Sequence, residues 1–484
     1  MIPRLAALAV ASAALAACRQ SEAPPRLGPD GKVHLIYWHS YNQEEQAVFD
    51  DLAGRFEREY AAANPDAPPI VIDGRGDTRG FAVPFDNMDQ QLRTAAEAGE
   101  TPDLVRIDYN KILSLAFGQI AVPLETLDAF SRLFPGETRQ TLRERFVGAA
   151  YDACHLWRRG EQHLYALPEQ VTCLALCWNR ALFRARRQAI ADEARRTGLP
   201  LSHERAPQTW EEFEAVGRAL TWTDERRRRF GFGMRDSLWF ALPILNVHHA
   251  ELIRQDPATG HFSCDLSSDA RVIAALDLMR GFYQGRGGHP GFEGGAWSAG
   301  ADRTDRGFET GTYAMVLEGV WNLRRWNDTG LDYGVALIPR LSSEEAERLG
   351  IAPEDNTSAT NLGGAGLVLI RSALERGVAD EALAFMQWWT SAGTQAEWCR
   401  ELGQIPVNLG AQAQLEGQVD ERAAGFLAQS RFARTGPPVP LYGTLEVTIW
   451  NPNMVRVFQG ALSAPEALAR IEGGIRRDIL TLVN

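Results

Sequence analysis

Lysine is almost absent. Of 484 residues only Lys32 and Lys111 carry an ε-amine, so arginine supplies nearly all the positive charge and a catalytic lysine is not expected. A basic surplus is also missing. Fifty Lys and Arg face 62 Asp and Glu, a formal charge of −12, which argues against nucleic acid or an anionic membrane surface as the main partner. After residue 17 no run of about 18 apolar residues occurs, so the body of the chain has no bilayer-spanning segment. The nine histidines form no H-E-x-x-H pattern, and the adjacent His248 and His249 would point to opposite faces of a strand. Neither a G-x-S-x-G elbow nor a G-x-x-x-x-G-K-[ST] phosphate loop is present. No metal and no cofactor is therefore expected, and no repeat of fixed period is seen. What is there is ordinary globular material, 45% hydrophobic and 23% charged, in a chain long enough for two or more domains.

The first 17 residues, MIPRLAALAVASAALAA, have a positive start, a short apolar stretch and small residues at the end, the pattern of an export signal. Leu15-Ala16-Ala17-Cys18 resembles a bacterial lipobox, which implies lipidation of Cys18 and a membrane anchor. Residues 18–32 then read as a lipidated tether, rich in Pro, Gly and charge. Setting Cys18 aside leaves Cys154, Cys173, Cys177, Cys264 and Cys399, an odd number with no complete disulfide set. Four residues along a strand separate the Cα atoms of Cys173 and Cys177 by about 13 Å, too far to bridge. A Cys154–Cys173 or Cys154–Cys177 bridge stays open in an exported protein.

VHLIYW (33–38) is a buried strand; Asn42 and Glu45 have capping-box spacing ahead of a helix carrying Phe49, Leu52, Phe56 and Tyr60. IVIDG, a helix near 87–98 and the strand DLVRIDY follow, and this alternation predicts a parallel, doubly wound α/β sheet. LALCWNRALF, TYAMVLEGVW, DYGVALIP and GGAGLVLI are further strand candidates. Thr209 and Glu212 form a second capping box, and residues 184–206 and 340–360 read as polar surface insertions.

Ligands of parallel α/β sheets sit where strands end and helices begin. The first strand therefore presents His39, Ser40, Tyr41 and Asn42, and the third presents Asp108 and Tyr109. A carboxylate accepts two hydroxyls, and a ring covers a sugar face. Gly363 and Gly364, after Asn361, open a strand where backbone amides can approach a ligand closely. Trp239, Trp297 and Tyr442 are further candidates on loops.

IYWHS, AAEAGETPDLVRID, YALPEQVTCLALCWNRALF, PQTWEEFEAVGRAL, GFETGTYAMVLEGVWNLRRW, LDYGVALIPR, GGAGLVLI with EALAFMQWWTS and QIPVN, and PEALARI stand in this order along residues 33–484. The ordered set resembles the extracytoplasmic solute-binding proteins of carbohydrate ABC importers, the maltose-binding-protein-like group. The WHS opening resembles the glycerol-phosphate-binding branch. The resemblance implies a two-lobed α/β fold, with 33–167 and 340–405 in lobe one and 168–335 and 410–484 in lobe two. Crossings are expected near Pro168–Thr172, Tyr333–Pro339 and Ile405–Asn408. It implies a monomer that takes a sugar, oligosaccharide or polyol derivative in the interlobe cleft and serves the transmembrane subunits of an ABC permease at the cell envelope. Glu169, Gln170 and Thr172 would line that cleft, with Gln170 and Thr172 on one face of a strand. EGVW resembles the family's Gly-x-Trp segment, so Trp321 would stack on sugar and Glu318 would bond hydroxyls. Paired carboxylates of a carbohydrate-active enzyme are a matter of three-dimensional separation; the two-lobe pattern has no need of them, and no catalytic residue is assigned.

Overall fold

The computed structural model describes residues 26–483 except 75, 84–87, 159–160, 224–226, 257, 295–302 and 438. Cys18, the leader and Trp297 lie outside the described residues.

Strand β1 (Val33–His39) buries Val33, Leu35, Tyr37 and His39 at alternate positions. Helix α1 (Gln43–Ala63) opens with the expected capping box: the Asn42 side chain accepts from the N–H groups of Glu44 and Glu45, and the Glu45 carboxylate accepts from the Asn42 N–H. Then come β2 (Ile70–Asp73), α2 (Met88–Ala98), β3 (Leu104–Asp108) and α3 (Tyr109–Phe117). After several short elements, β4 (Ala166–Thr172) is the last strand before the chain passes into a second sheet. That sheet contains β5 (Ala175–Asn179), β6 (Arg228–Gly233), β7 (Tyr313–Glu318) and β8 (Tyr333–Ala336), with helix α4 (Leu238–Val247) packed in the same lobe. The return runs through β9 (Thr360–Asn361) into β10 (Gly363–Leu369), followed by α5 (Ala379–Trp389), α6 (Ala392–Leu402) and α7 (Leu409–Leu415). Helix α8 (Glu421–Ser430), β11 (Ala433–Arg434), a π-helical turn (Thr444–Trp450) and α9 (Ala464–Ile475) complete the chain's main elements.

The first sheet has the order β2-β1-β3-β10-β4. Its β1, β2 and β3 are parallel, as the alternating pattern predicts, but β10 runs antiparallel to both β3 and β4. The sheet is mixed because β10 enters it from the other lobe. The second sheet, β8-β5-β7-β6 with Trp222–Thr223 at its edge, is covered on both sides. Ala175 and Cys177 face one apolar cluster, Leu176 and Trp178 the other. Two buried faces account for the unbroken apolar run ALCW (175–178).

The passages between lobes are fastened to one another. The Thr360 hydroxyl donates to the Leu174 carbonyl at 2.7 Å, the Leu174 N–H donates to Asn361 Oδ1 at 3.2 Å, and β9 pairs in parallel with β11. Five expectations need correction. Residues 340–360 do not join lobe one: Leu341, Ala346, Leu349, Ile351 and Ala359 belong to the cluster of lobe two, where a short helix (Ser343–Arg348) turns an apolar face inward. The second passage therefore falls at 360–362, not at 333–339. The third comes after Leu415, since α7 packs on α6 whereas α8 packs on β8. The five described cysteines are all buried and free, so neither candidate bridge forms. At Thr209 only half of the predicted capping box is made; the Glu212 carboxylate bonds Arg205 and the Gln208 N–H instead.

Gly364 has φ +121°, and a Cβ there would lie 2.0 Å from the Gln170 carbonyl oxygen on the neighbouring strand. Gly364→Ala is expected to destabilise the protein by about 2 kcal/mol or more. A urea midpoint equal to wild type would contradict that.

Candidate ligand-binding site

A cavity of about 1750 Å³ opens between the lobes and is lined by both. Lobe one contributes Ser40, Asp108, Gln170 and Thr172 from strand ends, and lobe two contributes Trp239, Trp321, Tyr442 and Glu446. Gly363 and Gly364 form part of the floor between them.

The floor rests on a charge that composition does not reveal. Arg106 sits between the apolar Val105 and Ile107 of β3, and its guanidinium donates to Glu169 on β4 at 2.8 Å, to the Ser40 hydroxyl at 2.9 Å and to Gln170 Oε1. Adjacent residues of a regular strand point to opposite faces. Glu169 and Gln170 both reach Arg106 because β4 is irregular against β10: Ala365 pairs with Gln170 and Gly366 with Pro168, leaving Glu169 as the extra residue of a bulge. Glu169 is thus no solvated charge; it is 0% exposed, and its Oε1 also accepts from the Tyr41 hydroxyl and the Trp389 indole, each at 3.2 Å. Gln170 passes the network on, its amide donating to Gln404 Oε1 at 2.7 Å.

Several predicted residues lie below this floor. His39 and Tyr41 are buried in an aromatic cluster with Tyr37 and Phe49, and burial pushes the His39 imidazole down to about 4. Tyr109 is buried with its hydroxyl on the Gln170 carbonyl at 2.9 Å. Glu318 is buried behind the Trp321 loop, bonded to Thr304, Asn322 and Arg235. None of these four lines the cleft. Strand ends place a residue near the opening, but side-chain alternation and local packing decide which ones face it.

The aromatic wall is built with glycine. A Cβ on Gly319 would lie 2.1 Å from the Trp321 ring, and one on Gly363 would lie 2.8 Å from the Trp239 ring. Their absence lets both indoles approach the backbone closely. The two rings are 5.6 Å apart at a 46° tilt, and Trp321 is 46% exposed, unusual for a tryptophan. The π-helical turn holds the start of α4: Glu446 accepts from the Trp239 N–H and Asn451 from the Leu238 N–H, both at 3.0 Å. Sequence reading missed Arg106 and Glu446. An arginine inside LVRID was a visible signal; Glu446 was not, because a π-turn breaks the 3.6-residue period.

Asp108 caps α3 by accepting from the Asn110 N–H at 2.7 Å. Burial pushes its carboxyl up to about 6, against the pull of that hydrogen bond and of Lys111. The Tyr442 hydroxyl, buried beside Glu446 and Asp108, is held well above the usual phenol range, chiefly by burial. At the rim, Glu44 of lobe one and Arg324 of lobe two form an ion pair of 2.7 Å. Among the described residues no group of three or more potential ligands could hold a metal ion.

Residues 81–424 match the profile of bacterial extracellular solute-binding proteins. The chain belongs to this family. Among curated relatives, the solute-binding protein is 20% identical to the galactooligosaccharide-binding protein of Bacillus subtilis, over 92% of this chain and 88% of that one. It is 23% identical to the maltotriose-binding protein of Pyrococcus abyssi, over 78% and 67%. Among solved structures, the sugar-binding protein MalE of Xanthomonas citri has a TM-score of 0.68 at 17% identity, covering 93% of this chain and 98% of that one. UgpB of Mycobacterium tuberculosis, solved with glycerophosphocholine, gives 0.64 at 19%, covering 93% and 98%. These structures share the two-domain fold. No helix among the described residues is long and apolar enough to cross a membrane.

Two predictions concern the empty solute-binding protein. Arg106→Met leaves Glu169 buried without its ion partner and should cost about 3–5 kcal/mol, whereas Arg106→Met with Glu169→Leu should recover much of that loss. Chemical denaturation of both variants and of Glu169→Leu alone checks it; additive losses would contradict it. Because the folded Asp108 carboxyl titrates near 6 and not at its ordinary 3.8, the fold binds the extra proton, so this group weakens stability as pH rises between those values and has a constant effect above. Asp108→Asn keeps the cap and should flatten that decline in stability measured from pH 4 to 7.

Proposed function

We propose that this solute-binding protein captures a sugar, oligosaccharide or polyol derivative between its lobes and delivers it unchanged to the transmembrane subunits of an ABC importer. In this reading it is a monomer tethered to the cell-envelope membrane by lipid on Cys18. The lobes close on the ligand by hinge motion about the passages at Cys173–Leu174, at 360–362 and after Leu415.

The observation that carries the reading is the tilted Trp239–Trp321 pair standing in an interlobe cleft among carboxylates and hydroxyls. Indole faces match the C–H faces of sugar rings, while Asp108, Glu446, Thr172 and Ser237 offer the groups that hold hydroxyls at the rim. The cavity exceeds the range usual for a single drug-sized ligand, which favours a guest of several rings. The names of the curated relatives, galactooligosaccharide- and maltotriose-binding, support the same class.

A glycerol-phosphate-type ligand is the second reading, favoured by the WHS opening and by the likeness to UgpB. It calls for arginines or amides converging on an anion. Arg106 is bonded to Glu169, Arg93 and Lys111 of the cleft lining pair with Asp89 and Arg324 with Glu44, and Asp108 and Glu446 also line the cleft, so the neutral polyol is the better fit. An anchored carbohydrate-degrading enzyme would consume its ligand; the receptor returns it intact.

Trp321→Ala should weaken binding of malto- or galacto-oligosaccharides by at least tenfold while unfolding stays cooperative. Calorimetry on a panel of both, with glycerol 3-phosphate as the contrasting ligand, checks it. Wild-type affinity in the variant would remove Trp321 from the site. Preference for glycerol 3-phosphate would select the second reading.

A further inference from the structure

A second cavity, of about 910 Å³, lies on the other side of α7 and α8 from the cleft. Both helices serve as a partition: Leu415 and Ala423 face the cleft, whereas Gln412, Glu416, Leu427 and Arg431 face the second cavity. Its far wall is the C-terminal end of α4, with Asn246 and His249, and the crossing strand β11, with Arg434.

Arg434 is half-buried, and among the described residues no carboxylate lies within ion-pair distance of it; Asp355 and Glu251 act on its charge only from farther away. Its Nη1 donates to the Asn246 carbonyl at 3.2 Å, and its terminal nitrogens lie 3.3 Å from the two ring nitrogens of His249. His249 Nε2 also meets the Asp355 carbonyl at 3.0 Å, so this nitrogen carries the proton and Nδ1 accepts from the guanidinium. Burial and the adjacent Arg434 charge hold that imidazole below its ordinary pKa, so it stays neutral and cancels nothing. His249 is also one of two described non-glycine residues with positive φ, at 52°, a conformation that costs energy and that clusters at functional sites. The other charged groups around the cavity are largely satisfied: Arg143 forks onto Asp152 with two bonds of 2.8 Å, and Glu251 pairs with Arg254 at 3.2 Å. Glu416 and Arg431 stand exposed at the rim.

A guanidinium withdrawn from water with no carboxylate bonded to it is expensive, and its forked donors match the oxygens of an oxyanion. We propose that this cavity binds a small molecule through a phosphate, sulfate or carboxylate head held by Arg434, with Arg431 as the second cation, independently of the ligand in the cleft.

Thermal unfolding and calorimetry with inorganic phosphate, against sodium chloride at equal ionic strength, test this on the intact protein. Phosphate should raise the midpoint of wild type, Arg434→Gln should weaken phosphate binding at least tenfold, and Trp321→Ala should leave the phosphate response unchanged. If Arg434→Gln fails to fold, Arg431→Gln at the exposed rim should still weaken binding several-fold. The proposal is overturned if wild type gains nothing from phosphate beyond chloride, if the arginine variants respond like wild type, or if Trp321→Ala abolishes the response. That last result would put the anion in the cleft.

Discussion

One buried charge organises the ligand-facing floor of this protein. Arg106 projects from the middle of an apolar sheet, where an uncompensated guanidinium would cost several kcal/mol. The compensation comes from β4, the strand that leads to the other lobe. A bulge there supplies an extra residue, so that the carboxylate of Glu169 and the amide of Gln170 both reach one guanidinium. Tyr41 and Trp389 satisfy the rest of the carboxylate. The outcome is a floor in which Ser40 and Gln170 are held by Arg106, which itself reaches the cleft lining, while the Glu169 carboxylate stays buried beneath.

The wall opposite is apolar and follows a different rule. Two indoles must be exposed without being loose, and glycine provides the fixing. Gly319 and Gly363 let the rings of Trp321 and Trp239 come close to main chain while both residues line the cleft. The side chains of Glu446 and Asn451 bond the first turn of α4, which carries Trp239. Polar floor and aromatic wall belong to different lobes, so neither is a site until the crossing strands bring them face to face.

The first β–α–β–α–β run was legible in local pattern, whereas the two-lobed class and the position of Trp321 at the cleft followed from the family resemblance. The capping box at Asn42 and Glu45 is decided within four residues, and Gly319-Val320-Trp321 carries its packing reason in its own spacing. The direction of β10 was not legible: a strand's own residues do not say from which lobe the chain arrives. Residues 340–360 misled because a helix rich in Arg and Glu buries only a few apolar side chains, and those few assign it to lobe two. His39 and Tyr41 misled for the opposite reason. They stand at the right strand end, but the aromatic cluster of α1, α5 and α6 takes their rings inward.

Closing of such lobes needs a source of free energy, and the candidates differ in size. The Glu44–Arg324 pair spans the rim, but both side chains are largely exposed, and such pairs contribute about 0–1 kcal/mol. Moving a two-state equilibrium from almost fully open to almost fully closed takes about 5.5 kcal/mol of differential binding. The rim pair is too weak to close the cleft by itself, and weak enough not to hold it closed without a guest. In the proposed reading a ligand that touches both walls would supply the difference, because stacking on Trp239 and Trp321 and bonding to Ser40, Asp108 or Gln170 would occur together only when the lobes meet. An occupant touching one wall alone would bind both states equally and close nothing. Discrimination between ligands therefore rests on reach across the cleft as much as on the chemistry of either wall.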